Sequence, residues 1–528
     1  MNALLQQIGY GSWALHFLIW FPVVGMLAAF LGTEAGAKKT ALIISVIEFL
    51  VSVPLWPAFN PATANFQLVS SVPWVPGWGM YYRVGLDGIS LFLVLLTTLL
   101  TPITILGSFR YIQKREKAFY AMMLLLETGV VGVFCALDLF LFFMFWEIML
   151  VPMYFIIGIW GGERRVYAAI KFFLYTTFGS LLMLVGILYL YFKYHALTGN
   201  LSFAYTDLLQ IPLTYREQFW LFCAFALAFM IKVPVVPFHT WLPDAHVEAP
   251  TPGSVILAAV LLKMGGYGFL RFLLPFFPQA ATDPVIVGVL LTLGLLGIIY
   301  TAWVAAVQPD AKKLIAYTSV AHMGFVVLGI FALTVQGVQG AMIVMLSHGA
   351  STGAMFLLLG MLYERRHTRL IAEFGGLSAV MPMFATVFVI TALASIGLPG
   401  LSGFVGEFLA LIGTFQTHPW VALIGASGVI FAAYYMLPMV QRIWFNALDK
   451  DVNRQLPDLS GREIAVLVPL VVVMVWIGVY PKPFLDRMET SVTALIQTVD
   501  QKRAGPPPAL GLTPPGGRGA VRPVADSH

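Results

Sequence analysis

Apolar residues run along this chain in blocks of about 20, the length that carries a helix across roughly 30 Å of hydrocarbon. Fourteen such blocks begin near residues 15, 40, 85, 118, 139, 167, 218, 251, 285, 314, 339, 381, 421 and 464. They predict an all-α polytopic membrane protein of about fourteen transmembrane helices. Two blocks carry proline at mid-length: Lys232-Val233-Pro234-Val235-Val236-Pro237 in the seventh and Gly397-Leu398-Pro399-Gly400-Leu401-Ser402-Gly403 in the twelfth. Proline lacks an N–H and clashes with the preceding turn, so helices 7 and 12 are expected to be broken. Five spans separate the breaks, and an odd offset reverses direction. The pattern therefore predicts two inverted five-helix repeats with ion sites near the paired breaks.

The corresponding division is 1–117, helices 1–3 with an outer hairpin from the Pro- and Trp-rich stretch Asn60 to Arg83; 118–274, the first repeat; and 285–445, the second. Residues 446–500 supply an inner loop and helix 14, and 501–528 a disordered tail of Pro, Gly and Arg. Composition agrees with the span pattern. Of 528 residues, 59% are hydrophobic and 10% charged, too few polar groups to clothe a soluble globule. The net charge of +5 is spread over short loops and forms no single basic patch, so it reports topology and gives no reason to expect nucleic acid. Lys38 and Lys39, Arg110 to Lys117, Arg164 and Arg165, Lys312 and Lys313, Arg365 to Arg369, and Arg442 to Arg462 fall on alternate connections. The connections between blocks on the other side hold only Arg83, Lys193, Arg216 and Arg271. The positive-inside rule then puts both termini on the outer side of a bacterial inner membrane. Cys135 and Cys223 lie apart in apolar spans and read as small core residues. The first span lacks a basic leader and a cleavage site, so it is expected to stay.

Ionisable side chains near mid-membrane cost roughly 2.5–3.5 kcal/mol each and mark ion pathways. Glu48, Glu127, Glu147, Lys232, Lys263, His322, His348 and Glu407 all fall in apolar spans. Lys232 precedes the first break, where Pro234 and Pro237 leave the carbonyls of Met230 and Val233 without their helical donors and free to hold water. Glu147 is its expected partner, because a carboxylate raises a lysine pKa that burial lowers, and gaining or losing that neighbour switches the proton. Lys263 is too deep to snorkel and reads as a relay. His322 and His348 can take a proton on one ring nitrogen and release it from the other. Glu407 follows the second break and its glycines, and reads as a terminal proton site. Glu127 is a weaker member and Glu48 weaker still. A static ion pair, or a core histidine with its hydrogen bonds satisfied, is the bland alternative at each position. His239 through Glu248 reads as a polar inner loop for gating or anchoring. Its spacing fits no metal site, and no nucleotide-binding glycine fingerprint occurs, so no cofactor or metal is expected on this chain.

The run from Lys232 through Pro234, Pro237, His239, Trp241, Pro243, Asp244, His246, Glu248 and Pro250 to Ser254 and Lys263 closely resembles the antiporter-like subunits of respiratory complex I. Trp146-Glu147, Ser319-Val320-Ala321-His322-Met323-Gly324, Ser347-His348 and Leu398-Pro399-Gly400-Leu401-Ser402-Gly403-Phe404 extend the resemblance over residues 85–445. It implies fourteen helices with inverted repeats and proton translocation coupled to quinone reduction elsewhere. FMN, iron–sulfur clusters and quinone then belong to partner subunits. It also implies a place in the membrane arm, in lipid, flanked by the related L-type and N-type subunits. Glu147 with Lys232 is implied as the pair, Lys263 as the central relay and Glu407 as the exit-side carrier. Glu407 favours the M type, since its sisters carry lysine there, and the chain stops soon after its fourteenth span without a long lateral helix. Two other readings stay open on the residues alone: a subunit of a multisubunit sodium/proton antiporter, and a non-conducting membrane scaffold.

Overall fold

The computed structural model describes residues 2–503; most of the expected tail lies outside the described residues. Among the described residues, twelve continuous helices are long and apolar enough to cross a membrane. In chain order they are α1 Tyr10–Leu31, α2 Glu34–Ala58, α3 Leu91–Ser108, α4 Glu116–Cys135, α5 Leu139–Trp160, α6 Arg165–Thr198, α9 Thr251–Phe276, α10 Pro284–Ala306, α11 Ala311–Phe331, α12 Val335–Arg366, α15 Pro419–Phe445 and α16 Gly461–Val479. The two expected broken helices are each split, into α7 Tyr215–Lys232 with α8 Trp241–Glu248, and α13 Pro382–Ile396 with α14 Ser402–Thr417. A last helix, α17, runs Lys482–Arg503.

Local sequence sets the ends. Asp283 and Asp310 cap α10 and α11 by accepting from the first-turn N–H groups, and Thr334 does the same for α12. Thr214 with Glu217 and Ser460 with Glu463 form reciprocal capping boxes at α7 and α16. Helices α9 and α12 each carry a fully buried 18-residue stretch and form the centre of the bundle. Their small residues bring the neighbours close. A Cβ on Gly265 of α9 would lie 2.6 Å from Val233 and 2.7 Å from the Phe229 carbonyl of α7, and one on Gly406 of α14 would lie 2.5 Å from the Val344 nitrogen of α12. Peripheral helices turn bare apolar side chains outward, as Leu174, Phe178 and Val185 on α6 and Trp420 and Ile430 on α15 show.

The loops expected to share the cation-rich side do meet at one end. Lys38 pairs with Glu116 at 3.4 Å, Arg365 with Glu463 at 2.8 Å and Arg369 with Asp310 at 3.1 Å. At the other end, the stretch read as a hairpin forms an antiparallel ribbon, β1 Gln67–Val75 and β2 Met80–Leu86, the two strands among the described residues of a helical fold. The ribbon is tied down by the Leu137 N–H donating to the Arg83 carbonyl at 2.8 Å and by Ser70 against His16 at 2.9 Å.

Four sequence expectations change. Residues 239–248 form no polar loop: Trp241–Glu248 is helical, with Trp241, Leu242, Ala245 and His246 buried, because the break at Pro234–Pro237 ends before them. Residues 482–503 make a separate helix, since Pro481 stops the last span and an amphipathic stretch follows. Cys223 faces outward, whereas Cys135 is buried. Arg271 is no loop cation: it lies buried near the end of α9, where Nη2 donates to Asp87 Oδ1 at 2.5 Å and Nε to the Tyr267 hydroxyl at 3.1 Å.

That last pair locks the cap end of α9 to the β2–α3 turn, where Asp87 Oδ1 also accepts from the Ile89 and Ser90 N–H groups. Arg271→Met leaves the Asp87 carboxylate buried and unpaired, so it is expected to destabilise the protein by about 3–5 kcal/mol. A thermal-denaturation series of the purified complex checks this, with part of the loss recovered in Arg271→Met/Asp87→Asn.

Candidate proton-transfer site

The first break places Lys232 at the C-terminal end of α7, fully inside the protein. Its Nζ lies 3.8 Å from Met149 Sδ and faces the rings of Trp146 at 5.4 Å and Phe172 at 5.5 Å. Glu147 stands on the neighbouring α5 and is only half-buried, and the described ion pairs within 4.0 Å do not join it to Lys232. The two occupy one region without touching. The Met230 carbonyl is also not open to water as expected: it accepts from the Val235 N–H at 2.8 Å, while the Ile231 carbonyl accepts from the Trp241 indole at 3.0 Å. Backbone and side chain heal the break.

Lys263 sits on α9 between two π-helical turns, Leu257–Leu261 and Phe269–Leu273, and is 0% exposed. Such turns rotate the helix register locally and recur at functional positions. Its Nζ donates to the Ala258 carbonyl at 2.7 Å and meets Nδ1 of His348 at 2.7 Å. The imidazoles of His348 and His322 lie 5.7 Å apart by ring centre. His322 in turn contacts Glu407 Oε1 through Nδ1 at 2.9 Å and Ser395 through Nε2 at 3.2 Å. Between the histidines is a cavity of about 10 Å³ lined by Ser347, Ser351, Ser395 and Glu407. That volume is close to the least that holds one water.

The second break positions Glu407. Gly397 ends α13 in the left-handed region at φ 88°, Pro399 follows, and Gly400 repeats the left-handed conformation at φ 92° before α14 begins. A Cβ on Gly397 would lie 3.1 Å from Glu407 Oε2, so its absence lets the carboxyl lie against the break. The site thus contains Lys263, His348, His322 and Glu407 in sequence, each within a hydrogen bond or one water of the next.

Not every candidate joins that series. Pro234 and Pro237 lie in the first break beside Lys232, and His239, largely buried, follows them with its Nδ1 unpartnered. Glu127 on α4 and Glu48 on α2 are both buried and neighbour each other, and the described hydrogen bonds join neither to the series. Sequence reasoning missed Ser395, whose hydroxyl orients His322, and the Ser347–Ser402 contact at 2.7 Å beside it. Serine in an apolar span has no pattern that marks it. Among the described residues no group of three or more His, Cys, Asp or Glu could hold a metal.

Comparison with known proteins gives the family of the chain. Residues 136–433 match the family described as NADH:quinone oxidoreductase/Mrp antiporter, TM, and residues 19–131 match NADH-ubiquinone oxidoreductase chain 4, amino terminus. The chain belongs to this family of complex I membrane subunits. NADH-quinone oxidoreductase subunit M of Rhodobacter capsulatus is 48% identical over 88% of this chain and 91% of its own length. A chain of respiratory complex I from Thermus thermophilus superposes with a TM-score of 0.84 at 33% identity, over 92% of this chain and 99% of that one. A chain of the Mrp complex from Dietzia shares the fold, with a TM-score of 0.77 at 21% identity over 93% of this chain and 56% of that one. As a family member, the chain is a multi-span, proton-translocating membrane subunit of NADH–quinone oxidoreductase.

Gly397→Ala forces a Cβ into a left-handed backbone at roughly 1–2 kcal/mol and crowds the Glu407 carboxyl. It is expected to lower coupled turnover while the complex still assembles. Turnover and thermal midpoint measured on the same preparation check this, with turnover falling further than the midpoint shift explains.

Proposed function

We propose that protons cross this subunit along Lys263, His348, His322 and Glu407, with Glu147 and Lys232 as the switch that loads the line. The contact series on α9, α12, α11 and α14 carries the reading. Lys263 and His348 stand at hydrogen-bond distance, so a proton on Lys263 has an acceptor in the neutral imidazole, and like-charge repulsion lets only one of the two hold it at a time. A water in the small cavity bridges His348 to His322, and Glu407 accepts at the far end. Charge on Lys232 acts on Lys263 across the close α7–α9 contact, and Glu147 sets whether Lys232 holds its proton. No side chain here does redox chemistry. Energy arrives from quinone reduction in partner subunits, which hold the FMN, the iron–sulfur clusters and the quinone.

The rest of the reading follows from topology. The two halves, 118–274 and 285–445, act as inverted five-helix repeats with one broken helix each, which supports paired half-channels meeting at α9 and α12. The cation-rich end faces the inside of a bacterial plasma membrane and both termini lie outside. L-type and N-type subunits flank the chain in the membrane arm, embedded in lipid, and half-buried Glu147 is placed to feel the charge of one of them.

Glu147→Ala and Lys232→Ala are expected to leave the assembled complex intact on a native gel, and to lower NADH-driven proton translocation and coupled turnover on the order of tenfold. Pumping unchanged in both variants would remove the pair from the mechanism.

A further inference from the structure

An outward-facing recess of about 600 Å³ lies toward the cap end of the bundle, walled by α2 and α16, floored by α3 and covered at its mouth by the start of α17. The rim residues Val53, Val472 and Trp476 are exposed, whereas Phe92, Leu96 and Leu346 at the floor are buried. Every side chain that lines it is aliphatic, aromatic or proline. An ordered water needs two to four polar partners and finds none on such walls, and an empty hollow forfeits their dispersion contacts, so hydrocarbon is the fitting occupant. Along α3 the recess runs from Phe92 to Leu99, about 10 Å at 1.5 Å per residue. That is less than one leaflet of a hydrocarbon core roughly 30 Å thick, too short a seat for a partner's transmembrane helix. It matches an acyl chain descending from the headgroup level.

The mouth carries the polar half of the match. Trp56, Trp476 and Phe484 pack there with ring centres 5.0–5.5 Å apart, an aromatic ledge of the kind that sits at headgroup depth. Arg487 of α17 lies over the Trp56 ring, 4.4 Å from its centre. Its Nε donates to the Trp56 carbonyl at 3.3 Å and its Nη1 to the Pro483 carbonyl at 3.1 Å. These contacts pin the guanidinium and use two of its five N–H groups. Neighbouring Asp486 is taken by Lys482 at 2.8 Å, and among the described residues Arg487 has no carboxylate partner within 4.0 Å. A fixed guanidinium with both Nη2 hydrogens open is shaped for two oxygens of one phosphate.

We propose that this recess is a phospholipid site, in which one acyl chain fills the apolar hollow and the phosphodiester rests on Arg487. The inference stands apart from the proton series, although the two are close. Leu346 at the floor precedes Ser347 and His348 on α12, and a Cβ on Gly349 would lie 2.7 Å from Leu96 beside it. The bound chain therefore backs the stretch of α12 that carries His348.

The test uses the complete complex, purified in detergent and depleted of loosely held lipid, with a phosphatidylglycerol whose acyl chain carries a diazirine. Cross-links are read by peptide mass spectrometry. Saturable labelling is expected within residues 92–99 and 469–477, displaced by unlabelled phosphatidylglycerol and, on the order of tenfold less well, by a diacylglycerol with the same chains. Equal displacement by the diacylglycerol overturns the role of the phosphate, stronger displacement by a long-tailed quinone overturns the choice of occupant, and labelling that does not saturate overturns the site. Arg487→Gln is expected to weaken saturable labelling on the order of tenfold, and Val473→Trp, which fills the hollow, to abolish it, with assembly checked on native gels. Unchanged labelling in either assembled variant refutes the proposal. Should the variants fail to assemble, the competition series on the unaltered complex decides the question alone.

Discussion

Hydrocarbon offers no partner to a charge or a bare peptide group, and everything else in this protein follows from meeting that demand internally. Each buried ionisable group of the central series finds its partner on a different helix: Lys263 of α9 on His348 of α12, and His322 of α11 on Glu407 of α14. The same contacts that make these groups tolerable in lipid also set them at proton-transfer distance. On the relay proposed above, stability and conduction draw on one set of hydrogen bonds, and a substitution that removes one of them affects both.

Backbone irregularity is what allows the helices to present these groups. The left-handed glycines at 397 and 400 turn the chain so that the carboxyl of Glu407 rests on the break, and the π-helical turns of α9 aim Lys263 toward His348. Irregular backbone is admissible at this depth because it is enclosed by protein, and the freed groups are taken up locally, as by the Val235 N–H at Met230 and the Trp241 indole at Ile231. Small residues complete the packing. Gly265 and Gly406 let α7 approach α9 and α14 approach α12 where any side chain would hold them apart.

Most of the spans and both breaks were legible in the sequence, because hydrocarbon thickness and proline each leave a one-dimensional trace, and cation placement grouped loops that meet at one end. Lys263, His322, His348 and Glu407 were legible as buried charges out of place in apolar runs. Their order was not, since contacts such as that between residues 263 and 348 join positions 85 apart and depend on helix rotation. Arg271 illustrates the opposite error. A cation near a span end looks like a loop anchor until Asp87 is folded against it. His246 was hidden by its neighbours, as Pro243, Asp244 and Glu248 give the segment a loop-like composition although the chain winds it into a buried helix.

The ties around α8 bear on what kind of machine this is. Arg369, from the connection after α12, holds the Val247 carbonyl at the end of α8 and also Asp310 at the start of α11, while Lys312 holds Ala249 just beyond. Each such charge-assisted bond contributes about 1.5–3 kcal/mol, and together they cross the seam between the chain's two halves. A carrier that rocks one half against the other has to release contacts of this sort in every cycle. Here such contacts act as cross-bracing, and proton transfer along the proposed series asks for no such release.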